Sequence, residues 1–93
     1  MEKISMYDLS ICAQEKEKQV IICFNTLQKS YVVLKIITDN NEEVRLLLKE
    51  ILIPGEQKIQ FTTGNLEPGD YTIKLIVNND TSIDIERLNF KIN

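Results

Sequence analysis

A chain of 93 residues, 43% hydrophobic and 27% charged, can bury one modest core in a single domain spanning 1–93, and this composition excludes disorder. A net charge of −3 without a basic cluster argues against nucleic acid as partner, and no apolar run approaches a membrane span, so no membrane insertion is expected. The chain has no histidine, which removes serine triads, Cys-His dyads and imidazole metal sites.

Period-2 alternation bounded by turn residues dominates from the first patterned segment onward. Residues 4–13 read as a first strand bent near Asp8, followed by the charged hairpin loop Gln14-Glu15-Lys16-Glu17-Lys18 and a second strand over 19–26. Residues 31–38 form a third, with Val32, Leu34 and Ile36 on one face. Asp39-Asn40-Asn41-Glu42 is then a hairpin turn, because Asn tolerates the left-handed conformation. The chain returns over 43–49, and Ile51-Leu52-Ile53 extends the apolar pattern until Pro54-Gly55 breaks it. Ile59 and Phe61 point inward from a strand over 57–62, and Tyr71, Ile73, Leu75 and Val77 do so from one over 70–78. After the turn Asn78-Asn79-Asp80, the last strand covers 82–92. Ile83 and Ile85 share one parity there and Leu88, Phe90 and Ile92 the other, so a β-bulge at Glu86-Arg87 is expected to bring both sets inward. No helical stripe and no internal repeat interrupts this pattern. The fold class is all-β: an immunoglobulin-like antiparallel sandwich of about seven strands. Its expected core is Val20, Ile22, Phe24, Val32, Leu34, Ile36, Ile59, Phe61, Leu66, Tyr71, Ile73, Leu75, Leu88 and Phe90.

Leu66-Glu67-Pro68-Gly69-Asp70-Tyr71 is the most specific local motif. Pro68 presets φ and Gly69 supplies a positive φ for a type II turn. Tyr71 then opens a strand as a corner tyrosine does, with its hydroxyl expected to bond the backbone near Leu66.

Chemistry-bearing constellations are sparse. Cys12 and Cys23 are expected to be reduced, strand-packing residues, since no apolar stretch long enough for a signal peptide follows Met1-Glu2-Lys3. With Met1 as the native start, a virion or cytoplasmic site of assembly is favoured over general export. Gly55, Gly64 and Gly69 all fall in turns, so no phosphate-cradling loop exists. Asp84 and Glu86 share one strand face and read as a solvated pair, not as catalytic carboxylates. The turns Asp39-Asn40-Asn41-Glu42 and Asn78-Asn79-Asp80 carry oxygen ligands without EF-hand spacing, and turn chemistry alone accounts for them. No catalytic residue, metal or cofactor is expected.

From Val32 onward a longer pattern is present. Val32-x-Leu34-x-Ile36-x-x-Asp39 leads into Glu43-Val44-Arg45-x-Leu47; Pro54-Gly55 precedes Lys58-Ile59-x-Phe61; and Asn65-Leu66-x-Pro68-Gly69-x-Tyr71-x-Ile73-x-Leu75 follows. This pattern resembles the Ig-like domain of flagellar hook-capping proteins and the C-terminal sorting domains of the type IX secretion system. The resemblance covers residues 32–92, with Asn40-Asn41 where the pattern usually has a glycine turn. It implies a β-sandwich docking module without catalysis.

The functional expectation is a non-enzymatic accessory protein that docks onto a protein partner in a larger assembly such as a virion, with homo-oligomerisation left open. The alternatives are a secreted or cell-surface adhesion or sorting module and a hook-cap-like scaffolding domain. Alternation leaves Val33, Ile37 and Ile76 on the outer face, and if Leu47 also points outward, these form one apolar interaction patch with Tyr31 at its rim.

Overall fold

Residues 6–15 and 19–92 are described by the computed structural model, with 13–15 as backbone only. Their β-branched and aromatic alternation produces seven strands: β1 (Ser10–Glu15), β2 (Gln19–Thr26), β3 (Ser30–Thr38), β4 (Glu43–Leu52), β5 (Gly55–Thr62), β6 (Gly69–Asn78) and β7 (Ile83–Ile92). They pair antiparallel into a three-stranded sheet, β1-β2-β5, and a four-stranded sheet, β4-β3-β6-β7. Ile22, Phe24 and Phe61 from the first sheet meet Val32, Leu34, Ile73 and Leu75 from the second in one core. The result is the expected immunoglobulin-like sandwich. Its fourth strand departs from the constant-type arrangement, in which that strand joins the sheet of the first, second and fifth. Here β4 pairs with β3, and the chain crosses to the other sheet at Ile53-Pro54.

The expected core holds at its centre and thins at its margins. Ile59, Leu66 and Leu88 are half-buried and pack against the core from outside. Tyr7 and Leu9 enter the core without having been expected there. The chain kinks at Asp8, whose φ is 51°, so the alternation of β1 cannot be extrapolated back through it. Positions 4, 5 and 16–18 of the expected first strand and hairpin loop lie outside the described residues.

Turn chemistry follows the side chains. Asn41 adopts φ 64° between β3 and β4, the conformation expected of Asn in that turn. Between β6 and β7 the side-chain oxygen of Asn79 accepts from Thr81 N (3.0 Å), Thr81 Oγ1 (2.8 Å) and Ser82 N (3.1 Å). Tyr71 donates its hydroxyl to the Glu67 carbonyl at 2.6 Å, which makes the tyrosine corner. Gly69 has φ 152° where a type II turn uses about +80°. The glycine is therefore needed for its positive φ as the first residue of β6, not as the second centre of a type II turn.

The structure differs from the sequence expectation in facing and pairing at three places. β7 carries no bulge at Glu86-Arg87: its ladder with β6 runs unbroken from Asn78↔Ile83 to Gly69↔Ile92. Ile83 and Ile85 consequently stay outside, while Asp84 and Glu86 turn inward at the sandwich margin. β4 holds two irregularities instead, at Leu47, between the pairs Leu34↔Leu48 and Lys35↔Leu46, and at Val44, between Ile36↔Arg45 and Ile37↔Glu43. The first lets Leu47 and Leu48 both pack against the core, so Leu47 does not face outward. Finally, Cys12 and Cys23 form a disulfide, with Cα atoms 6.0 Å apart. Cys12 is the bulged residue between Ile11↔Ile22 and Ala13↔Ile21. The bulge places it outward beside Cys23, on the outer side of the three-stranded sheet.

Candidate functional site

Ladder register arranges the outer face of the four-stranded sheet into cross-strand rows. One row reads Ile51, Tyr31, Asn78, Ile83 across β4, β3, β6 and β7. The next reads Lys49, Val33, Ile76, Ile85, and the third Leu46, Lys35, Lys74, Arg87. Adjacent residues in such rows have Cβ atoms about 4.5–5.5 Å apart, close enough for their side chains to form one surface. Ile51 is 62% exposed, Ile83 65%, Ile85 46% and Tyr31 38%, and Val33 and Ile76 lie half-buried between them. Apart from Asn78 and Lys49, the first two rows are apolar and adjoin as one patch.

Of the residues expected in such a patch, the structure brings Tyr31, Val33 and Ile76 together. Ile37 belongs to the same face by register, opposite Glu43 and Thr72, but it is only 5% exposed. The Lys35–Glu43 ion pair (3.4 Å) lies beside it. Leu47 faces inward, as described. Ile51, Ile83 and Ile85 were not expected in the patch. Parity alone could have placed the last two there, had no bulge been assumed. The connection from β4 to β5 is only Ile53-Pro54, so no loop from that side folds back over the patch.

Two open clefts lie at the Asn79 end of the sandwich. Lys29, Tyr31, Ile51, Asn78 and Asp80 line one, so the apolar patch runs directly into it. The other lies around Met6, Tyr7, Leu27, Ser82 and Asp84. There the Tyr7 hydroxyl donates to Asp84 Oδ2 at 2.6 Å, and Met6 N donates to Glu86 Oε2 at 2.8 Å. Asn25 N donates to the Tyr7 carbonyl at 2.7 Å. Burial foremost, then the Asp84 hydrogen bond and the nearby Asp84 and Glu86 charges, push the Tyr7 hydroxyl up to about 12. Asp84 and Glu86 thus anchor the segment leading into β1, in place of the solvated pair read from the sequence.

Among the described residues no group of three or more His, Cys, Asp or Glu side chains could hold a metal ion, and no helix is long and apolar enough to cross a membrane. No protein-family model matches the chain, and no curated protein matches it either.

Proposed function

We propose that the protein is a non-enzymatic interaction module that docks onto a larger protein assembly through the outer face of its four-stranded sheet. The observation that carries this reading is the uncovered patch of Tyr31, Val33, Ile51, Ile76, Ile83 and Ile85. Large contiguous apolar patches on a folded surface mark interaction sites, whereas single exposed aliphatics do not. The adjoining cleft offers the kind of pocket in which an interface anchor is desolvated. A decoration or head–tail accessory role on a virion fits a small sandwich that presents one such face. The resemblance to hook-cap and sorting domains supports docking in the same general sense.

A second reading, an exported adhesion or sorting module, is supported by the Cys12–Cys23 disulfide, because disulfides persist in oxidising compartments. Trapping the thiols inside the producing cell separates the two. Alkylated, reduced cysteines favour the cytoplasmic accessory, and an oxidised pair found only outside the cytoplasm favours the exported module.

The docking reading is tested with the Ile51→Asp/Ile85→Asp variant, which alters two exposed positions of the patch. Extracts of the native producer are sedimented with tagged wild-type or variant chain. The wild type is expected in a fast-sedimenting particle, and the variant near the top of the gradient with an unchanged circular dichroism spectrum. A folded variant that still co-sediments at wild-type occupancy contradicts the proposal.

A further inference from the structure

Lys35, Lys74 and Arg87 stand directly opposite one another on β3, β6 and β7, on the outer face and next to the apolar rows. Lys49 adds a fourth cation at the β4 end of the row above, opposite Val33. Like charges in direct cross-strand register destabilise a sheet. Only one of the four is compensated: Lys35 meets Glu43, while Lys49, Lys74 and Arg87 make no ion pair among the described residues. The concentration of positive charge is the more pointed because the chain as a whole carries −3. One face is therefore locally cationic on an otherwise acidic protein.

Resting on the docking reading above, we infer that this face takes an acidic protein surface: a partner whose apolar centre covers Val33, Ile76 and Ile85 and whose carboxylates border it along the row of Lys35, Lys74 and Arg87. Two physical arguments select this occupant. Carboxylates from the partner relieve the like-charge row, so the electrostatic cost carried by the free protein is recovered on docking, and charge complementarity fixes the register of the two surfaces. A second copy of the chain in face-to-face contact sets the cationic face of one copy against the same cationic face of the other. An anionic membrane meets a rigid sheet of Ile and Val side chains on a net-negative molecule, with no tryptophan to enter the interface.

The test uses defined probes on isotope-labelled full-length protein: a peptide of alternating glutamate and leucine, the same peptide with lysine for glutamate, and phosphatidylcholine vesicles with and without phosphatidylglycerol. The glutamate peptide is expected to shift the backbone amides of Val33, Lys74, Ile76 and Arg87, more weakly as salt is raised. Lys74→Glu/Arg87→Glu, on a half-buried and an exposed outer position, should weaken that binding by about tenfold with an unchanged circular dichroism spectrum. Three results overturn the inference. If the lysine peptide shifts the same amides equally, the docking face stands but its acid preference falls. If only the phosphatidylglycerol vesicles bind, the occupant is a membrane surface. If none of the probes shifts an amide on this face, both the acidic partner and the docking reading fall.

Discussion

The two sheets share one core but present unlike outer faces. On the three-stranded sheet the outward positions are tied to one another: Gln60 Nε2 donates to Gln19 Oε1 at 2.6 Å, Lys58 lies 3.6 Å from Glu56, and Cys12 is bonded to Cys23. On the four-stranded sheet polar pairing is confined to one end, where Thr72 Oγ1 donates to Asn89 Oδ1 at 3.0 Å and Lys35 lies 3.4 Å from Glu43. The rest of the face is dominated by Tyr31, Val33, Ile51, Ile76, Ile83 and Ile85 and by Lys49, Lys74 and Arg87, which make no ion pair among the described residues. The same two-residue alternation built both sheets, so the difference owes nothing to folding. Inward residues are fixed by the shared core, while outward residues are free to record what each face meets. A face whose polar groups are satisfied within the molecule is suited to water, and one left apolar and positively charged is suited to a partner.

The largest expected effect falls on the core that both faces share. Leu75 is fully buried, and Leu75→Ala should lower unfolding free energy by about 2–5 kcal/mol in urea titration. Its neighbour Ile76 points the other way and is half-buried, so Ile76→Ser should cost roughly 1 kcal/mol or less while weakening assembly. Equal losses at both positions would mean that the outer face is as covered as the inner one.

Reduction of the disulfide acts on the other sheet alone. The bond spans 11 positions in sequence, for which loop-closure entropy gives about 3 kcal/mol of stabilisation. Reduced protein or Cys12→Ser/Cys23→Ser should therefore unfold at lower denaturant, with its affinity for the assembly unchanged once folded. A loss of docking on reduction, without unfolding, would place the interface on the three-stranded sheet.

Alkaline titration probes the margin where β7 meets the Tyr7 segment. Tyr7 ionises near 12 in the folded protein instead of 10, so the folded state holds this proton more tightly than the unfolded state does. Its stabilising contribution is complete below pH 10 and is lost between 10 and about 12. The loss amounts to about 2 kcal/mol at the upper limit. Comparison of wild type with Tyr7→Phe isolates it: the stability difference between the two should shrink or reverse across that window. A constant difference would show that the hydroxyl is not held neutral by its buried setting. A smaller effect, about 0.5–1.5 kcal/mol by thermal denaturation, is expected for Tyr71→Phe, which removes the bond to the Glu67 carbonyl and keeps the ring stacked on Phe90.

Strand identity, the central core and the tyrosine corner were legible in the sequence because each rests on local periodicity or turn chemistry. What was not legible depended on register. Leu47 was misplaced because a bulged residue in β4 resets the facing next to it, and the run Leu46-Leu47-Leu48 is too uniformly apolar to reveal it. Ile83 and Ile85 were drawn inward on the assumption that apolar residues seek a core, whereas their ladder is regular and they remain exposed. The disulfide required both a hairpin and a bulge at Cys12 to bring the sulfurs together. The cationic row is invisible in the linear chain, since Lys35, Lys74 and Arg87 meet only through two strand pairings.

Lysine reactivity compares the two faces most directly. Free protein and the fast-sedimenting fraction are acetylated under identical conditions and read by mass spectrometry at Lys49 and Lys74 on the four-stranded face and at Lys58 on the three-stranded one. Docking through the four-stranded sheet predicts that Lys49 and Lys74 become protected in the assembly while Lys58 reacts as in the free protein. Protection of Lys58 with Lys74 still fully reactive would contradict it.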